Sequence, residues 1–183
     1  MSYCAVARGH PVHGPHHDIE YGRPVTDDAV LFERIALEIN QAGLSWLLVL
    51  TKRAALNAAF RGFDPERVAR FGKRDVTRLM ADPGIIRNRR KIEAVIENAR
   101  RVRAIRASRG SLASWLESHH PLRLPDWVGL MRRTFVFMGP EVVNEFLMST
   151  GYLPGAHDPG CPAFVEIADM EPPWMRAAPA GGW

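Results

Sequence analysis

The sequence predicts an all-α domain, and three observations carry that prediction. Apolar residues recur at three- and four-residue spacing over most of the chain. No stretch alternates apolar and polar residues as a half-buried strand would, and the helical runs are bounded by capping residues or by Pro/Gly turns. With 183 residues and 46% apolar content there is material for one well-buried core. No segment approaches the ~20 unbroken apolar residues of a membrane span. The N-terminal stretch SYCAVARGHPVHG has neither the apolar centre of a signal peptide nor an arginine-rich amphipathic pattern. A cytoplasmic protein with no membrane partner is therefore expected. The net charge of +4 and pI near 9.5, carried mainly by arginine, suit an anionic partner such as nucleic acid without identifying one.

Residues 1–25 are rich in proline, glycine and histidine and read as an irregular arm without a core of its own. Thr26 or Asp27 can cap the first long helix, where Asp27 and Asp28 also suit its dipole. That helix contains LFERIALEINQ, with Leu31, Phe32, Ile35, Ala36 and Ile39 forming a wide apolar stripe. Glu38 falls on the same stripe and so points inward. The bland reading is a glutamate that curls out to water or pairs with Arg34 one turn back. Asn40, Gln41 and Gly43 break the helix, and Ser45 offers an N-cap for a new one starting at Trp46. An inward carboxylate, a polar turn and a large aromatic within nine residues are the parts of a pocket for a flat, hydrogen-bonding ligand.

The helix from Trp46 runs to Phe60, and Asp64-Pro65-Glu66 then supplies a cap, a proline at the first helical position and a first-turn acid. Short helices to Phe71 and from Asp75 to Met80 follow. After the turn Asp82-Pro83-Gly84, the run IIRNRRKIEAVIENARRVRAIR is read as one amphipathic helix with Ile92, Val95, Ile96, Ala99 and Val102 inside. Arg87, Arg89, Arg90 and Lys91 crowd its start, against the helix dipole. A solvated face is the common explanation of such a run; phosphate outside the helix is the alternative. Short helices are expected at Leu112–His119 and Asp126–Arg133. The segment TFVFMGPEVVNEFLMSTGY over 134–152 then reads as helix, glycine turn and helix, stopped by Gly151. Such a turn presents backbone N–H groups at a helix N-terminus. Residues 162–183 are Pro/Gly-rich and are expected to be partly mobile.

Two cysteines, Cys4 and Cys161, lie near opposite ends. A structural disulfide does not suit a reducing compartment. His17 lies downstream of Cys4, and His157 precedes Cys161 with three residues between. This H-x3-C has the reach for two tetrahedral zinc ligands, and the N-terminal pair can supply two more. Chance pairing among seven histidines is the competing reading.

Taken together, the chain resembles the type I 3-methyladenine DNA glycosylases, zinc-containing repair enzymes of the helix-hairpin-helix superfamily. The resemblance is carried by Cys4, HHDIEYGRP (16–24), LFERIALEINQAGLSWLLVLTKR (31–53), FDPERVA (63–69), LMADPGIIRNRRKIEAVIENAR (79–100), FVFMGPEVV (135–143) and HDPGC (157–161). It implies a single helical domain over 1–161, with the helix-hairpin-helix at 135–151 and the arm tied down by structural zinc on Cys4, His17, His157 and Cys161. It further implies Glu38 as the pocket carboxylate, Trp46 as the stacking aromatic, and His16 and Tyr21 as further base contacts. Gln41, Ala42, Gly43 and Leu44 would enter the duplex, and Gly139 would mark the tip of the DNA-anchoring hairpin; from the basic helix start, Arg87 and Arg90 are the candidates for backbone phosphate.

The implied activity is excision of alkylated purines, chiefly 3-methyladenine, from double-stranded DNA by a monomeric, monofunctional hydrolase. The rival reading is a zinc-stapled DNA-binding module with lost or altered base specificity. Family members usually carry tyrosine where His16 stands, tryptophan where Tyr21 stands and Gly-Gln where Ile39-Asn40 stand. These departures bear on the preferred lesion.

Overall fold

In the computed structural model, which describes residues 2–183, the arm carries two short helices, α1 (Tyr3–Ala7) and α2 (His13–Ile19), where its composition predicts irregular chain. Helices this short are marginal in water, and neither has a side-chain N-cap. Their Cys4, His13, His16 and His17 side chains are buried against the rest of the protein. Beyond the arm run α3 (Asp28–Gln41), α4 (Trp46–Ala59), α5 (Pro65–Val68), α6 (Lys73–Ala81), α7 (Arg89–Arg109), α8 (Leu112–His119), α9 (Leu124–Thr134), α10 (Pro140–Ser149), α11 (Pro162–Asp169) and α12 (Pro173–Arg176). Among the described residues there is no strand, as predicted, and no helix long and apolar enough to cross a membrane.

Helix α3 is the axis of the fold. Asp27 caps it by accepting from the Ala29 and Val30 N–H groups at 2.8 and 3.0 Å. Asp28 instead reaches across to the N-terminus of α8, accepting from Leu112 N–H at 2.8 Å. Every residue from Leu31 to Asn40 is buried, which is broader than a one-sided stripe and marks a central helix. Helices α4, α5, α7, α8 and α10 pack directly against it. The core they enclose includes Phe32, Phe60, Phe63, Trp127, Phe135 and Phe146. Removing the Asp27 cap with D27A should lower stability by about 1 kcal/mol, read as a shift in the denaturation midpoint.

Helix α7 begins at Arg89, not at Ile85 as its periodicity predicts. Asn88 caps it through Lys91 N–H at 3.2 Å. The preceding loop is pinned from outside, because Lys52 Nζ donates to the Pro83 and Gly84 carbonyls at 3.0 Å each. Arg87 therefore sits on an exposed loop, and only Arg89 and Arg90 open the helix. The C-terminal tail also departs from expectation: α11 and α12 bury Ile167, Pro172 and Pro173. Trp174 N–H donates to Gly151 O at 3.1 Å. Gly151, at φ +77°, passes so close to Pro172 that a Cβ there would lie 3.0 Å from that ring, so its glycine serves both the turn and the docking of the tail.

Candidate active site and metal centre

A cavity of about 750 Å3 lies between the end of α3, the start of α4, the α1 arm and α10, within the usual size range of small-molecule sites. Glu38 lines it from the last turns of α3 and is only 4% exposed. Arg34 does not neutralise it: that guanidinium is engaged by Glu20 and by His16 Nε2 at 2.9 Å. Among the described residues no group donates a hydrogen bond to the Glu38 carboxyl. Burial, reinforced by the nearby Glu145, pushes it up to about 8. A buried acid with no internal partner is costly to keep, and such groups are enriched at functional sites.

Trp46 stands beside it as the first residue of α4, which Ser45 caps by accepting from Leu48 N–H at 3.3 Å. The intervening turn is shaped by Gly43, at φ +78°. It is also stapled by Lys91, whose ammonium donates to the Asn40 and Ala42 carbonyls at 2.7 and 2.6 Å. Lys91 is 5% exposed, although the sequence places it in a charged run. Its cation closes the C-terminus of α3, where the helix dipole favours positive charge. K91M should leave the buried Asn40 carbonyl and the part-buried Ala42 carbonyl without this donor and destabilise the fold by about 1–3 kcal/mol, with the turn exchanging amide hydrogen faster than the α7 core.

The third wall comes from the arm. Tyr21 and Tyr3 line the cavity, whereas His16 stands behind them. Arginine only donates, so His16 Nε2 accepts from Arg34. The neutral ring, held far below its usual range (about 3) by burial and by Arg34, therefore donates from Nδ1 to the Tyr3 hydroxyl at 3.1 Å. Tyr3 in turn reaches His13 Nδ1 at 3.3 Å. The place expected for a His16 contact with ligand is thus taken by Tyr3, which no pattern in the sequence distinguishes. Tyr21 donates its hydroxyl to Glu145 Oε2 at 2.9 Å, bringing in a second carboxylate from α10.

Behind this wall Cys4, His17, His157 and Cys161 converge, all buried, with their four ligand atoms within 4.8 Å of one another. His17 Nε2 and His157 Nδ1 are 3.1 Å apart, and the Cys161 sulfur is 3.8 Å from each. Donors on a tetrahedral ion with bonds of ~2.3 Å to sulfur and ~2.0 Å to nitrogen stand roughly 3.3–3.8 Å apart, so the cluster has the dimensions to hold a metal ion. The outer contacts agree. His17 Nδ1 meets Asp18 at 2.6 Å and His157 Nε2 meets Tyr21 O at 2.8 Å, which turns the remaining ring nitrogens toward the centre. The Asp158 N–H donates to the Cys4 sulfur at 3.3 Å.

The sequence profile of the methyladenine glycosylase family matches residues 6–124. The chain is also 35% identical to the DNA-3-methyladenine glycosylase of Haemophilus influenzae over 80% of its own length and 89% of that protein. It belongs to the methyladenine glycosylase family. DNA-3-methyladenine glycosylase 1 of Escherichia coli K12 is 50% identical over 100 residues, 55% of this chain and 54% of that one. A solved 3-methyladenine DNA glycosylase I variant in complex with 3-methyladenine superposes with a TM-score of 0.78 at 34% identity, covering 89% of this chain and 97% of that one.

The remaining residues that the sequence of this methyladenine glycosylase family member points to are placed as follows. Gln41 and Gly43 border the cavity, while Leu44 is exposed at the turn. Arg87 and Arg90 are exposed at the start of α7. The helix-turn-helix expected over 134–152 starts earlier: its first helix is α9, which stops at Thr134, and residues 135–139 form a tight loop before α10. Its strained residue is the exposed Phe137 at φ +64°, not Gly139, which has an ordinary φ of −69° as N-cap of α10. The fully buried Asn98 clamps this loop, donating to Val136 O at 3.0 Å and accepting from Val136 N–H at 2.8 Å. Asn98 reads in the sequence as one polar residue in a basic helix.

Proposed function

We propose that this protein rotates an alkylated purine, chiefly 3-methyladenine, out of double-stranded DNA and hydrolyses its glycosidic bond without cutting the strand. A base inside a duplex is out of reach, and extruding it costs a few kcal/mol, least where pairing is already damaged. The observation that carries the reading is Glu38: a buried carboxylate without an internal partner, facing a cavity beside an indole. N3-alkylation puts positive charge on adenine and weakens its bond to the sugar. Glu38 supplies the countercharge and accepts from the ring's donors, while Trp46 offers a stacking face. Water then attacks C1′ of the extruded nucleotide. No lysine lines it, and Lys91 is committed to two carbonyls, which supports hydrolysis over a lysine-linked intermediate.

We assign zinc to the Cys4, His17, His157 and Cys161 cluster, because two thiolates and two imidazoles at tetrahedral spacing suit that ion. Its role is structural: it supplies no chemistry to the reaction, and its ligands fasten the arm that carries Tyr3 and Tyr21. Helices α9 and α10 with the loop between them serve as the helix-hairpin-helix that grips the phosphate backbone through N–H groups.

The function is tested by incubating the metal-loaded protein with methylated duplex DNA and weighing the freed base. Release of 3-methyladenine is expected; no release where a known glycosylase is active would overturn the reading. The DNA face has its own tests. The double reversal R87E/R90E should weaken duplex binding about tenfold or more and reduce the slope of log affinity against log salt by about 2, with the melting temperature unchanged. For G139A, open space surrounds the position where the Cβ would stand. The variant should fold as stably as the wild type yet bind duplex more weakly, since only a closely approaching phosphate would meet the added methyl.

A further inference from the structure

We infer that Glu145 on α10 is a second base-recognising carboxylate, which together with Glu38 makes positive charge on the purine a dominant part of what this cavity selects. The inference rests on the glycosylase reading above and adds a residue to it. Helices α3 and α10 pack against each other, and Glu38 and Glu145 line the same cavity from those two helices. Glu141 and Asp158 complete the acidic lining, and no lysine or arginine is part of it. In a chain of net charge +4 this is a pronounced local reversal. The chain as a whole is basic, and the cavity is lined by acids.

Neither Glu38 nor Glu145 has a salt-bridge partner among the described residues. Glu145 is half-buried, and one of its oxygens accepts from the Tyr21 hydroxyl at 2.9 Å. A carboxylate has about four acceptor positions, so that contact orients the group without exhausting it. Two acids sharing a half-enclosed space repel each other and are each held above the usual carboxylate range, Glu38 in part through Glu145 and Glu145 chiefly by its own burial. Arg34, committed to Glu20 and His16, offsets this only in part, and no lysine or arginine lines the cavity itself. A ligand that brings its own positive charge relieves the rest, and it gains from both groups at once.

The bland alternative is that Glu145 only holds Tyr21 in place. E145Q separates the two roles, because the amide oxygen still accepts from the Tyr21 hydroxyl while the charge is gone. Y21F is the converse change: it removes the hydroxyl and keeps the acid. The metal-loaded protein and both variants are titrated calorimetrically with 3,9-dimethyladeninium, which carries a fixed charge, and with neutral 9-methyladenine. The wild type should prefer the cation. E145Q should lower that preference about 5–10-fold while leaving affinity for the neutral base within about twofold, on the scale of one partly screened charge. Y21F should retain the preference. The inference is overturned if E145Q keeps the wild-type preference, if Y21F loses as much as E145Q does, or if the wild type shows no preference. Base release from methylated DNA by the same preparation tests the glycosylase reading separately, so the two can fail independently.

Discussion

Replacing Glu38 with glutamine should leave a protein that is more stable than the wild type and nearly inert. The folded carboxyl sits at about 8, against an ordinary value of 4.5. Between those two pH values the folded chain keeps a proton that the unfolded chain releases. Folding therefore becomes less favourable as pH rises through that window, and the penalty is greatest at pH 8 and above. Glutamine has no proton to lose. E38Q should gain roughly 2 kcal/mol or more at pH 8 and little near pH 4.5, so its advantage in melting temperature should widen from acid to alkaline buffer by about 4–8 °C. Activity should move the other way. Losing a preorganised charge in a water-poor site typically lowers rate by 10²–10³-fold, and base release by E38Q should fall on that scale. The wild-type rate should climb with pH until about 8, because the ionised carboxylate is the form that attracts a cation. Below that pH, binding of a charged purine should release about one proton, which calorimetry in buffers of different ionisation enthalpy would read. A variant that loses activity without gaining stability at pH 8 would mean that the Glu38 carboxyl is not held out of water as described.

Local rules explain why α3, the turn and α4 are legible from residue types alone. Asp27, Ser45 and Asp64 sit at the helix starts their side chains favour, and each accepts the expected backbone N–H groups. Glu38 is legible because period 3.6 places it on the buried face. What the sequence hides are contacts between distant segments. Lys91 looks like one cation in a basic run and is a buried staple for a turn about fifty residues earlier. Asn98 belongs to no motif and clamps the α9–α10 loop from full burial. Tyr3 and Glu145 belong to no motif, and only the packing of the arm and α10 around α3 brings them to the cavity. The start of α7 departs from its periodicity for the same reason: Ile85 fits the helical period, but Lys52 holds the preceding turn through the Pro83 and Gly84 carbonyls and the helix opens only at Arg89.

Stripping metal from the Cys4, His17, His157 and Cys161 cluster, or substituting one ligand as in C161S, should abolish activity while leaving most of the helical core intact. The distribution of buried residues dictates this split. The main apolar core begins at Leu31, and its buried members end at Leu153. The region around the ligands has only a small cluster of its own, built from Cys4, Cys161 and Ala163 with Phe164 beside them. An arm with so little apolar area cannot offset the entropy of ordering about twenty residues. Metal coordination, whose free energy is folding free energy for such segments, is the interaction large enough to do so. The consequence for the cavity is direct, because the arm supplies Tyr3 and Tyr21. His157 is bonded to the backbone of Tyr21, so losing the cluster removes one wall and the Tyr21–Glu145 contact with it. Hydrogen exchange on chelated protein should show residues 2–22 and 154–161 exchanging freely while α3, α7 and α10 stay protected. Far-UV circular dichroism should fall by little more than the two arm helices. Restoring Zn2+ should recover both protection and base release in the wild type but not in C161S. Global unfolding on chelation would mean that the metal supports the core itself, and full activity without metal would mean that the arm docks by some other means.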